Sequence, residues 1–148
     1  LLCSPSASTF SRARHSGKDG PQPLRSRAYP LGLPALPKQM RAEINTSNVV
    51  VEFSALALLA ALRMQCWVLL EHPEDLGSCA KGTPASVWQL REMRAIASAF
   101  DVVRGAAHSC VFDTAETPKP TAFLTNVAPF LRRLHLGWPV FQVEGKTY

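Results

Sequence analysis

Apolar residues at Met40, Ile44, Phe53, Leu56, Leu59 and Leu62 recur mostly at helical spacing and run through "ALALLAAL". This predicts one helix from Lys38 to Gln65. Its most apolar stretch, Val49 to Leu62, is fourteen residues long and contains Glu52. A membrane span needs roughly twenty apolar residues, so the expectation is a buried core helix and no membrane partner. "CWVLLEHP" follows as a continuous apolar run ended by Pro73, the pattern of a strand covered on both faces in a parallel sheet. Val87, Leu90, Met93, Ala97 and Phe100 form a second helical stripe, predicting a helix from about Ser86 to Phe100. "VVRGAAHSCVF" and "TAFLT" predict two more strands, and Asn126 is placed to cap a short helix, "VAPFLRRL", with Pro129 in its first turn.

Strand, helix, strand, helix, strand is the order of an open α/β sheet with flanking helices. The chain divides into a basic Pro/Ser-rich loop segment (1–37), a helix and strand core (38–134) and an irregular tail (135–148). In such sheets functional loops gather at the carboxyl ends of strands. That rule singles out the loop after "LLC", the loop after "WVLLE" and the loop between "SCVF" and "TAFLT".

The 148 residues are enough for one domain with a core. At 47% hydrophobic and 18% charged, wholesale disorder is excluded. The net charge of +5 is unevenly spread: residues 1–41 carry seven Lys/Arg against one acid, and the remainder nine bases against ten acids. A basic segment of this kind attracts phosphate or simply stays solvated. Cys3, Cys66, Cys79 and Cys110 form no CxxC, so neither zinc nor a disulfide scaffold is expected and a reducing intracellular setting fits. Cys3, Cys66 and Cys110 read as small core residues. Trp67, Trp88 and Trp138 are expected in the core or at its edge.

In their order, "LLCSPSASTFSRAR", "WVLLEHPEDLG" and "CVFDTAETPKPTAFLTN" resemble the catalytic domain of cytosine-5 DNA methyltransferases. In that family one strand ends in a Pro-Cys loop, the next in a Glu-Asn motif, and a later strand-loop pair carries an Arg-rich motif. The resemblance implies a partial Rossmann-like sheet of the class I methyltransferase type, DNA as partner and a nuclear setting. It also implies S-adenosylmethionine, although no Gly-x-Gly turn follows a strand in this chain, so binding by this chain alone is not expected. The chemistry adds a thiolate to carbon 6 of a flipped cytosine, with a carboxyl group assisting at ring nitrogen 3.

Carried over residue by residue, Ala7 occupies the nucleophile position and supplies no thiol, and Cys3 lies four residues earlier. Glu71 takes the acid's place, with His72 where the family has asparagine. Arg12, Arg14, Arg25 and Arg27 are the candidate nucleic-acid contacts of the first loop, and Lys119 and Thr121 those of the third. The expectation is a degenerate or truncated methyltransferase-like domain, inactive alone and retaining weak nucleic-acid binding. Its partners would be DNA, and a missing N-terminal half-domain or another protein. The alternative is a non-enzymatic nucleic-acid-binding or interaction module using the basic loop.

Overall fold

The computed structural model describes residues 1–15, 20–108 and 119–138, and the backbone alone of 142–143 and 146–147. In chain order the elements are β1 (Leu2–Cys3), α1 (Lys38–Arg63), β2 (Leu69–Pro73), α2 (Arg91–Ala99), β3 (Val103–His108), β4 (Pro120–Thr125), α3 (Ala128–Leu134), β5 (Gln142–Val143) and β6 (Lys146–Thr147). Short 3-10 turns cover Arg12–His15 and Val87–Gln89.

The four-stranded sheet has the order β1-β2-β4-β3. β1 and β2 are parallel and joined through α1, whereas β4 runs antiparallel to both β2 and β3. The fold is therefore mixed α/β with an open sheet, and the parallel neighbourhood expected for "CWVLLEHP" exists on one side only. β4 returns directly after β3 and slots between β3 and β2, as an antiparallel connection can without a crossover helix.

β2 starts three residues later than its apolar run. Gln65 adopts a left-handed φ of 56°, and Cys66 N–H bonds back to the Ala61 carbonyl at 2.9 Å, closing α1 in the manner of a Schellman turn. That reversal leaves Cys66 exposed, not in the core, and Trp67 78% exposed. Asn126 does not cap α3, whose N-cap is Val127. Its side chain instead accepts from Val68 N–H at 3.0 Å and donates to the Cys66 carbonyl at 2.9 Å, pinning the entry to β2. The helix expected over 86–100 divides because Leu90 is extended, leaving a 3-10 turn and then α2.

The main core lies between the sheet and α1 and α2. Phe10, Leu58, Leu62, Leu70, Trp88, Met93, Ile96, Ala106, Ala122 and Leu124 form one buried cluster. α1 is a half-buried helix, not a core helix. Ile44, Val51, Ala55, Leu58 and Leu62 are covered, while Val49, Phe53 and Leu56 on its other side are exposed. By length and composition alone α1 could cross a membrane, and 22% of its most apolar window is buried in the domain.

The segment 1–37 is more than a solvated loop. It supplies β1, puts Phe10 in the main core, and builds a second cluster from Leu24 and Leu36 with Ile44 of α1. Gly32, at φ 121°, brings its backbone so close to α1 that a Cβ there would sit 2.8 Å from Ile44 Cγ2. The tail is also less irregular than its sequence suggests, since β5 and β6 pair as a small antiparallel ladder. Cys110, the end of the expected strand up to Phe112 and residues 113–118 of the loop that follows fall outside the described residues.

Candidate functional site

Strand direction decides where the three singled-out loops meet. β1 and β2 are parallel, so Cys3 and Pro73 end at the same edge of the sheet, with Cys3 paired to Leu70. β4 begins there, with Thr121 opposite Pro73, and β3 ends there, with His108 opposite Pro120. The chain therefore leaves β1, β2 and β3 at one rim.

Glu71, on β2, is met by side chains from the segment after β1 and the segment before β4. Ser4, the first residue after β1, donates its hydroxyl to Glu71 Oε2 at 2.5 Å. Lys119, the residue before β4, places Nζ 3.5 Å from Glu71 Oε1. Ala7 lies in the same first loop, half-buried, and carries no nucleophile. Burial pushes the Cys3 thiol up, with only partial opposition from the nearby N-terminal ammonium, so no thiolate is prepared there.

Beside this contact lies a cleft of about 540 Å³ between the loops that follow β1 and β2. Ala7, Phe10, Arg12, His72, Glu74 and Lys119 are among the residues lining it, and Glu71 is not. The reason is the pleat of β2: successive side chains face opposite sides, so His72, not Glu71, points to the cleft side. His72 is 1% exposed and stands edge-on to Phe10 and Trp88, with ring centroids 5.3 and 6.5 Å away. Neither ring nitrogen has a hydrogen-bond partner of ordinary geometry, and a backbone interaction with Pro73 opposes the effect of burial only in part. Burial, and then the Lys119 charge, push its pKa down to about 3. The ring is consequently neutral at physiological pH.

The arginines of the first segment are tied down rather than arrayed. Arg25 is 1% exposed, with Nε donating to Thr9 Oγ1 at 3.0 Å and Nη1 to the Pro30 carbonyl and Asn48 Oδ1 at 2.6 and 2.7 Å. Its guanidinium lies 4.0 Å from the centre of the Phe10 ring. It is a buried core residue, withdrawn from the surface on which the sequence expectation placed a nucleic-acid contact. A run of basic residues does not reveal which one the chain folds over.

Arg12 and Arg14 diverge on their 3-10 turn instead of facing one phosphate. Arg12 donates to the Gly77 and Ser78 carbonyls, and Arg14 pairs with Glu43 at 3.0 Å. Arg27 is paired with Asp75 at 3.1 Å but remains half exposed. Thr121 is buried in β4 and donates to the Lys119 carbonyl at 3.3 Å, so it too is withdrawn from the surface.

Sequence matching passed over three residues at this rim: Ser4, Phe10 and Glu74. Ser4 was recognisable as the first polar residue after a strand end. Glu74 lies two positions beyond His72 but past Pro73, where β2 ends, so strand alternation does not mark it. Trp88 is buried as expected, whereas Trp138 is 53% exposed. Compared with known proteins, the chain matches no family model, no curated protein and no solved structure.

Proposed function

We propose that this chain is a cytosine-5 methyltransferase-like domain without methyl transfer, retaining a weak affinity for nucleic acid. The observation that carries the reading is the convergence on Glu71: Ser4 from the loop after β1 and Lys119 from the segment before β4 both reach its carboxylate. The three segments that resemble the family's motifs thus touch at the carboxyl ends of β1 and β2, the rim where α/β folds place ligands. A partial Rossmann-like sheet belongs to the same reading, supported by the parallel β1-α1-β2 unit.

The residues present do not fit S-adenosylmethionine. Among the described residues, no Gly-rich turn carries a strand into a helix; α1 starts after Pro37, α2 after Leu90 and α3 after Val127. With Ala7 at the nucleophile position, no thiol stands there, and among the described residues no Gly-rich turn is built to hold a methyl donor. What remains is recognition, with Lys119 and Arg27, each 55% exposed, as the most accessible cations flanking it.

The test is fluorescence anisotropy with a labelled single-stranded oligonucleotide at two salt concentrations. Two or three phosphate contacts predict about a tenfold loss of affinity between 50 and 200 mM salt. Absence of binding at 50 mM, or binding indifferent to salt, overturns the reading. That outcome would favour an interaction module instead, for which the exposed stripe of Val49, Phe53 and Leu56 on α1 is the supporting observation.

A further inference from the structure

We propose that the solvent face of α1 pairs this chain with a second copy of itself, the two helices lying antiparallel across a two-fold axis between Leu56 and Ala60. The pairing uses neither the rim nor the cleft, and it stands whether or not nucleic acid binds at the rim.

The surface is an apolar stripe. Val49, Phe53, Leu56 and Ala60 follow one another at spacings of four, three and four along α1, and so share a face. All four are exposed, on the side away from Val51, Ala55, Leu58 and Leu62, which enter the core. Met64 and Trp67, 75% and 78% exposed, add apolar surface at the end of the helix. Together these side chains leave on the order of 700 Å² open, more than the largest apolar patch of a typical monomer, about 300–600 Å². The area is close to the roughly 800 Å² that each partner contributes to a standard interface.

The stripe also complements itself, which a two-fold contact requires. With the axis between Leu56 and Ala60, the large side chain of one copy meets the small one of the other. The same symmetry sets Glu52 of each copy beside Arg63 of the other, making two ion pairs. Glu52 and Arg63 are exposed at one margin of the stripe, and neither belongs to an ion pair among the described residues. A lipid surface fits less well. It would draw the Glu52 carboxylate toward an apolar medium with no cation to meet it, whereas a second copy supplies Arg63.

Sedimentation equilibrium of the whole chain, without nucleic acid, from about 1 to 100 μM tests the proposal, because contacts of this area give affinities of micromolar or tighter. The mass should rise toward twice that of one chain. Glu52→Arg or Arg63→Glu turns both symmetric pairs into like charges and should weaken the dimer about tenfold at low salt. Combining the two changes should restore the original affinity. Leu56→Glu sets two carboxylates against each other near the axis and should give a monomer with an unchanged circular dichroism spectrum. A monomer throughout the concentration range, or a double swap no tighter than the single changes, overturns the proposal. Capture of the chain by phosphatidylcholine vesicles, with no dimer in their absence, also overturns it and makes lipid the occupant.

Discussion

Glu71 and His72 are adjacent in sequence and occupy opposite sides of β2, and the two sides are built on different terms. On the Glu71 side a carboxylate that is 22% exposed is held by a hydroxyl and a half-exposed ammonium, all close to water. On the His72 side a neutral imidazole is buried between two aromatic rings. Contacts of the first kind are individually weak because water competes with them. The second arrangement is costly to charge, since taking an ion out of water is penalised. One step along a pleated strand thus separates a screened ion pair from a buried titratable group.

The largest consequence is acid sensitivity arising on the His72 side. With its pKa near 3 in the folded protein, His72 stays neutral, while the unfolded chain takes up a proton below about 6.5. The stability that this neutral ring contributes is complete above pH 6.5 and is lost progressively as pH falls toward 3. His15, also depressed by burial, acts in the same direction. Urea unfolding at pH 7 and pH 4.5 should show a loss of about 2–3 kcal/mol at the lower pH. His72→Phe should remove most of that loss and match or exceed the wild type at pH 4.5, because an apolar ring replaces two unpartnered nitrogens. Parallel losses in both proteins would mean that His72 is hydrated in solution, and the contrast between the two sides would disappear.

The next effect concerns what supports the His72 side. Arg25 lies over Phe10, and Phe10 stands edge-on to His72. Arg25→Leu would leave Thr9 Oγ1, the Pro30 carbonyl and Asn48 Oδ1 without their donor. A loss of about 3 kcal/mol is expected, or roughly 9 °C in thermal midpoint for a domain of this size. Arg27→Leu, at a half-exposed pair, should shift the midpoint by no more than about 2 °C. Scanning calorimetry of the two variants decides the matter. Equal shifts would return Arg25 to the surface role that its neighbours in sequence suggest.

How much of this was legible depends on the kind of signal. Periodicity located α1, β2, β4 and α3 to within a few residues, because each buries at least one apolar stripe. It could not say which stripe of α1 is covered, since Phe53 and Leu58 look alike in sequence and differ only in what packs against them. The antiparallel insertion of β4 was hidden for a similar reason: a strand covered on both faces reads the same beside parallel or antiparallel neighbours. Within the site, matching motifs selected Glu71 and Lys119, which do meet. It also gathered Arg25 and Thr121, which fold inward, because a charge or hydroxyl carries no mark of its burial. The cleft itself follows from alternation, yet its second polar group, Glu74, sits past Pro73 where the strand pattern ends.

The smallest effect, on the Glu71 side, is the most discriminating about the rim. A double-mutant cycle of Glu71→Gln and Lys119→Met should give a coupling of about 0.5 kcal/mol in low salt, since Lys119 is 55% exposed and the 3.5 Å pair is open to water. At 1 M salt, where screening acts within about 3 Å, the coupling should fall further. Ser4→Ala should cost a similar small amount, because water can replace the hydroxyl on an accessible carboxylate. Such values would mean that the three segments meet at Glu71 without depending on it for stability. A coupling above about 1.5 kcal/mol that persists in high salt would instead make Glu71 a buried structural anchor. The carboxylate would then be needed to hold the loops together, and the rim would lose its accessible charged group for recognition.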